Sequence, residues 1–132
     1  MSAETLGAME LAQRVGELAL EKKANDVVIL DVTGLTSITD AFVICSGSTD
    51  VQVKAITDHI LDEMSTVEKP ISKEGYDNRE WVLLDYVSVV VHVFHESARE
   101  YYSLERLWPD AKVTELKDDL PAGPEIPLFD DL

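Results

Sequence analysis

Apolar positions Ala8, Ala12, Val15 and Ala19, flanked by Leu11 and Leu18, recur at helical spacing, while Glu10, Gln13, Arg14, Glu17 and Glu21 share the other face. This predicts an amphipathic first helix from Ala8 to about Lys22-Lys23, where cations suit a helix C-terminus. Asn25 and Asp26 break the pattern. Val27-Val28-Ile29-Leu30-Asp31-Val32 then reads as a strand buried on both faces, because β-branched residues run on without alternation. A loop from Gly34 to Thr39 leads through Asp40 into a second strand, Ala41 to Ser46. Gly47-Ser48-Thr49-Asp50 reads as a turn and helix cap, and Val53, Ile56, Ile60 and Met64 mark one face of a helix from Asp50 to about Ser65.

Pro70 opens a short extended piece through Glu74, and Gly75 to Arg79 read as a polar loop. The next fourteen residues, Trp81 to Phe94, exceed an ordinary strand, so they split into a hairpin turning near Asp85 to Ser88. A last helix begins near Ser97 and carries Ala98, Tyr101 and Tyr102 inward. Beyond Ala111 the texture changes: Leu120-Pro121-Ala122-Gly123-Pro124 holds no regular structure, and Asp130-Asp131 closes an acidic stretch. The expectation is one α/β domain over residues 1–111, a mixed five-stranded sheet flanked by helices, followed by a mobile acidic tail over 112–132.

Charge narrows the function. Twenty-six acidic against eleven basic side chains give the 132-residue chain a formal net charge of −15. Such a surface repels phosphate backbones and favours a basic protein partner, so little direct RNA contact is expected. The opening Met1-Ser2-Ala3-Glu4 lacks a basic region followed by an apolar stretch, and Val87 to Phe94 is too short to span a bilayer. A cytoplasmic or organelle-matrix protein is expected, with no membrane association. Cys45, the only cysteine, lies in an apolar run and reads as a buried, inert thiol.

Candidate chemistry is sparse. His92 and His95 stand three apart on a predicted strand, so their rings point to opposite faces and do not converge on a metal. The Gly47-Ser48 turn before Asp50 has the shape of a phosphate-binding helix entry. The second carboxylate that a nucleotidyl-transferring site needs is absent, since Val51 and Gln52 follow. No serine is tied to a histidine base by spacing. Neither a catalytic residue nor a cofactor is assigned, and a nucleotide-binding or nucleotidyltransferase-like enzyme using Gly47, Ser48 and Asp50 is the alternative reading. The remaining signal is aromatic: Trp81, Tyr86, Tyr101, Tyr102 and Trp108, interleaved with Asp85, Arg99, Glu105 and Arg106, are side chains of the kinds that anchor protein interfaces.

The stretches Trp81-Val82-Leu83-Leu84-Asp85-Tyr86 and Val89-Val90-Val91-His92-Val93-Phe94, with Arg99-Glu100-Tyr101-Tyr102-Ser103-Leu104-Glu105-Arg106-Leu107-Trp108, resemble the signatures of the Iojap/RsfS family. Asp31-Val32, Thr39-Asp40, Ser46-Gly47 and Val53-Lys54-Ala55-Ile56-Thr57-Asp58 match upstream. The resemblance covers about residues 8–111. It implies a ribosomal silencing factor that binds the large ribosomal subunit at the basic ribosomal protein L-fourteen, blocks subunit joining and represses translation without catalysis. It further implies a fold similar to a nucleotidyltransferase core without its catalytic residues, and it allows a homodimer of the free protein. The partner-binding residues expected on this basis are Trp81, Leu83, Asp85 and Tyr86, flanked by Arg99 and Glu105. Two positions depart from the family pattern: Val87-Ser88 replace a Gly-Asp turn, and Val51 replaces an arginine.

Overall fold

The computed structural model describes residues 7–117 apart from Ser103, and within them the side chains outside 100–105. Helix α1 (Ala8–Glu21) opens with the Gly7 N–H donating to the Glu10 carboxylate at 3.0 Å. Strands β1 (Asn25–Asp31) and β2 (Ala41–Gly47) precede α2 (Asp50–Met64), whose Thr49 cap accepts the Gln52 N–H at 3.1 Å. Strands β3 (Ser72–Glu74), β4 (Trp81–Asp85) and β5 (Val89–His95) lead to α3 (Glu96–Tyr102). A single 3-10 turn, Leu104–Leu107, comes before a last strand, β6 (Lys112–Leu116).

The strands form one mixed sheet in the order β3-β4-β5-β2-β1-β6, in which only β2 and β5 run parallel. Six strands, not five, make the sheet. The sixth falls where the sequence pointed to a tail, so the folded body continues to Leu116. Lys112–Leu116 is an exposed edge strand anchored mainly by Leu116, which leaves no apolar alternation to reveal it. Residues 118–132, the rest of the expected tail, lie outside the described residues.

The two sheet faces are unequal. Helices α1 and α2 cover one face, where Leu11, Val15, Leu18, Val53, Ile56 and Ile60 bury against Val27, Ile29, Val43, Cys45, Leu84, Val91 and Val93. Each such side chain contributes roughly 1.5–3 kcal/mol by leaving water. Burial pushes the Cys45 thiol up to about 12, so it stays protonated and inert. The other face carries a smaller cluster, Val28, Leu30, Ile44, Phe94 and Ala98 of α3, against whose edge Trp81 of β4 packs.

The β4–β5 hairpin closes through Val87-Ser88, with the Tyr86 N–H donating to the Val89 carbonyl at 2.8 Å. Val87 adopts φ +73, the left-handed conformation that glycine supplies without cost at the first central position of such turns. The left-handed turn therefore survives loss of the glycine, and the branched side chain carries roughly 1–2 kcal/mol of strain. Asp85 offsets part of it by accepting the Val87 N–H at 2.8 Å.

Candidate partner-binding face

Alternation along β4 decides which residues can meet a partner. Val82 and Leu84 are fully buried in the helix-covered core, whereas Trp81, Leu83 and Asp85 are half-buried on the opposite face. The strand register sets Trp81 opposite Phe94, Leu83 opposite His92 and Asp85 opposite Val90. Tyr86 is a correction. It is fully buried in the helix-covered core, so it is not presented to a partner from this face. Burial, then the nearby Glu68 carboxylate, pushes its phenol up to about 12, and among the described residues that hydroxyl has no hydrogen-bond partner. The same two-residue period that exposes Trp81 turns Tyr86 inward, so it belongs to the core.

Trp81 is held in a defined orientation. Its indole stacks on Phe94 with ring centres 5.1 Å apart and 24° between planes. Its N–H donates to His92 Nδ1 at 2.9 Å. The proton of the neutral His92 ring must then sit on Nε2, which is buried without a hydrogen-bond partner among the described residues. Burial pushes His92 down to about 4, so the ring is a neutral acceptor at physiological pH. Phe42 continues the row, 5.3 Å from His92 and 5.9 Å from Trp108. An aromatic band thus crosses β4, β5 and β2 to the chain after the 3-10 turn. Sequence reasoning missed His92 and Phe42 as members of the band. The available signal was the even-numbered phase that His92 shares with Phe94 on β5.

Arg99 stands apart from this band. Its guanidinium donates to the Asp26 carbonyl at 2.6 Å and lines a cleft of about 520 Å³ with Asn25, Glu115 and Lys117, at the β1 side of the sheet. The structure therefore does not bring Arg99 together with Trp81, Leu83 and Asp85. The Glu105 side chain lies outside the described residues.

At the Gly47-Ser48 turn the backbone donors are largely spent within the fold. The Ser48 N–H donates to Gln52 Oε1 at 2.7 Å, and the Gln52 side-chain amide donates to the Lys23 carbonyl at 2.8 Å. A Cβ on Gly47 would sit 3.1 Å from the Val53 nitrogen, so glycine here permits close strand–helix contact. His95 faces Asp50 at 3.8 Å, away from the His92 cluster. Among the described residues no three His, Cys, Asp or Glu side chains group as metal ligands, and no helix is long and apolar enough to cross a membrane.

The model of the family described as "Ribosomal silencing factor during starvation", RsfS, matches residues 5–126. The chain belongs to the RsfS family. The RsfS protein of Halalkalibacterium halodurans is 44% identical over 110 residues, covering 82% of this chain and 93% of that one. A crystal structure of a Chromobacterium violaceum protein superposes with a TM-score of 0.76 at 29% identity, covering 88% of this chain and 98% of that one. A mouse protein named "Mitochondrial assembly of ribosomal large subunit protein 1" is 29% identical over 110 residues, 80% of this chain and 48% of its own length. Membership assigns the chain to ribosome-associated silencing, and the RsfS match spans the aromatic band.

Proposed function

We propose that this RsfS-family protein docks on the large ribosomal subunit through the open face of β4, with Trp81, Leu83 and Asp85 against the basic ribosomal protein L-fourteen. It acts by occlusion: the bound protein occupies the surface on which the small subunit lands, so joining fails and translation falls. No chemistry and no cofactor are required. The observation that carries this reading is Trp81, a large aromatic side chain left partly exposed on the sheet face opposite the main core and oriented there by a neutral histidine. Aromatic anchors of this kind dominate interface energetics. The net charge of −15 favours a basic protein over RNA as the surface met first. The name of the mouse relative points to the large subunit as well.

The nucleotidyltransferase-like alternative is disfavoured. Its turn directs its donors into the fold, and Asp50 is followed by Val51 and Gln52 where a second metal-holding carboxylate is needed. We read the core as one of that general shape without its catalytic groups.

The test is equilibrium binding of wild type and Trp81→Ala to purified large subunits. Loss of an anchor costs about 2 kcal/mol or more, roughly thirtyfold in affinity. Unchanged affinity in a folded Trp81→Ala variant would overturn the assignment of this face.

A further inference from the structure

Stacking and hydrogen bonding do different things to the Trp81 indole. Phe94 stands opposite Trp81 across the β4–β5 ladder, and His92 lies two residues back along β5, opposite Leu83. The planes of the three rings differ by 24° between Trp81 and Phe94, 11° between Phe94 and His92 and 34° between Trp81 and His92. This stacking sets the plane of the indole. It does not choose between the two orientations related by a half-turn about the Cβ–Cγ bond, because that torsion is broad and roughly two-fold. The bond from Nε1 to His92 Nδ1, 2.9 Å long, makes the choice. A half-turn would carry the single N–H of the indole to the far edge, away from that acceptor.

The fold itself gains little from a histidine at this place. His92 is buried within the run Val89-Val90-Val91-His92-Val93-Phe94, between Leu83 on β4 and Ile44 on β2. Among the described residues its ring makes one hydrogen bond, the one from Trp81, and its Nε2 makes none. A buried polar atom without a partner costs stability, and an apolar ring of similar size avoids that cost. The one bond the ring does make runs to a side chain that is itself partly exposed, on the face assigned to docking. The return on the buried histidine therefore lies at the indole. A side chain already held in one orientation loses less freedom when a partner closes on it.

We infer that His92 is a positioning residue for docking, whose Nδ1 atom holds Trp81 in the single indole orientation that the large subunit accepts. The inference rests on the docking reading above and adds two requirements to it. Residue 81 must carry an N–H, which phenylalanine lacks, and residue 92 must carry an acceptor at the δ position. His92 acts on the partner through Trp81 and not by touching it, since its own ring is buried.

Affinity for purified large subunits and melting temperature are measured for wild type, Trp81→Ala, Trp81→Phe, His92→Phe, His92→Asn and the double variant of Trp81→Phe with His92→Phe. His92→Phe keeps a ring in the stack and removes the acceptor, so about fivefold weaker binding is expected with little change in melting. His92→Asn puts an acceptor, Oδ1, where Nδ1 stood and loses the ring. It should recover most of the affinity that His92→Phe loses, although it melts lower; a role confined to the fold would give the reverse order. Trp81→Phe should bind more weakly, and adding His92→Phe to it should cost nothing further, because the acceptor has already lost its donor. Should His92→Asn not fold, this double variant decides: additive losses overturn the positioning role. Wild-type affinity in His92→Phe beside a weakened Trp81→Ala also overturns it and leaves the docking face intact. Wild-type affinity in Trp81→Ala overturns the docking face and the positioning role with it.

Discussion

Acidification offers a direct probe of the histidine that orients Trp81. The folded protein keeps His92 neutral down to about pH 4, whereas the unfolded chain takes up the proton near the ordinary histidine value of 6.5. Between these values the unfolded state holds more protons, so stability is fully present above pH 6.5 and falls as pH drops towards 4. That difference corresponds to roughly 3 kcal/mol, a large share of the 5–15 kcal/mol that ordinarily separates folded from unfolded protein. The ring is only 4% exposed between Trp81, Phe42 and Phe94, so solvent does little to screen it. His92→Phe preserves an aromatic ring there and cannot titrate. Urea unfolding of both proteins at about pH 7, 5.5 and 4.5 isolates the contribution, since carboxylate effects are common to the two. Asp31, held below the usual carboxylate range by its bonds from Thr33, is one of these shared groups. Wild type should lose stability relative to His92→Phe progressively below pH 6.5. Parallel pH curves would refute the account of a buried, neutral His92 acceptor.

Two further outcomes follow from the same geometry. Leu84→Ala removes a fully buried side chain from the helix-covered core, so it should destabilise by about 2–5 kcal/mol in urea unfolding, while its folded fraction binds large subunits normally. Association with large subunits should slow as salt rises, because exposed charges are screened beyond about 8 Å at physiological ionic strength; stopped-flow rates at several salt concentrations measure this.

Much of this fold was legible because burial left periodic traces. The helical spacing from Ala8 located α1, and the unbroken β-branched run located β1 with both faces buried. The length of Trp81 to Phe94 forced a hairpin, and its turn lies where the sequence put it. Strand β6 was hidden because an edge strand exposed along its length needs no apolar alternation, only backbone pairing with β1 and one anchor at Leu116. For the candidate face, parity along β4 separated Trp81, Leu83 and Asp85 from the core. Tyr86 was grouped with them on the strength of the resemblance, yet the two-residue period turns it inward, where it is fully buried. The Trp81–His92 pair and the position of Arg99 depend on strand register and on where α3 crosses the sheet. Neither can be read from spacing within one segment.

The central claim is occlusion, and sedimentation tests it most directly. The protein is mixed with free large subunits and, separately, with assembled ribosomes, and the pelleted fraction is measured in each. Occlusion predicts recovery with free large subunits and little with assembled ribosomes, because the small subunit already covers the docking surface. Equal recovery from both would contradict it.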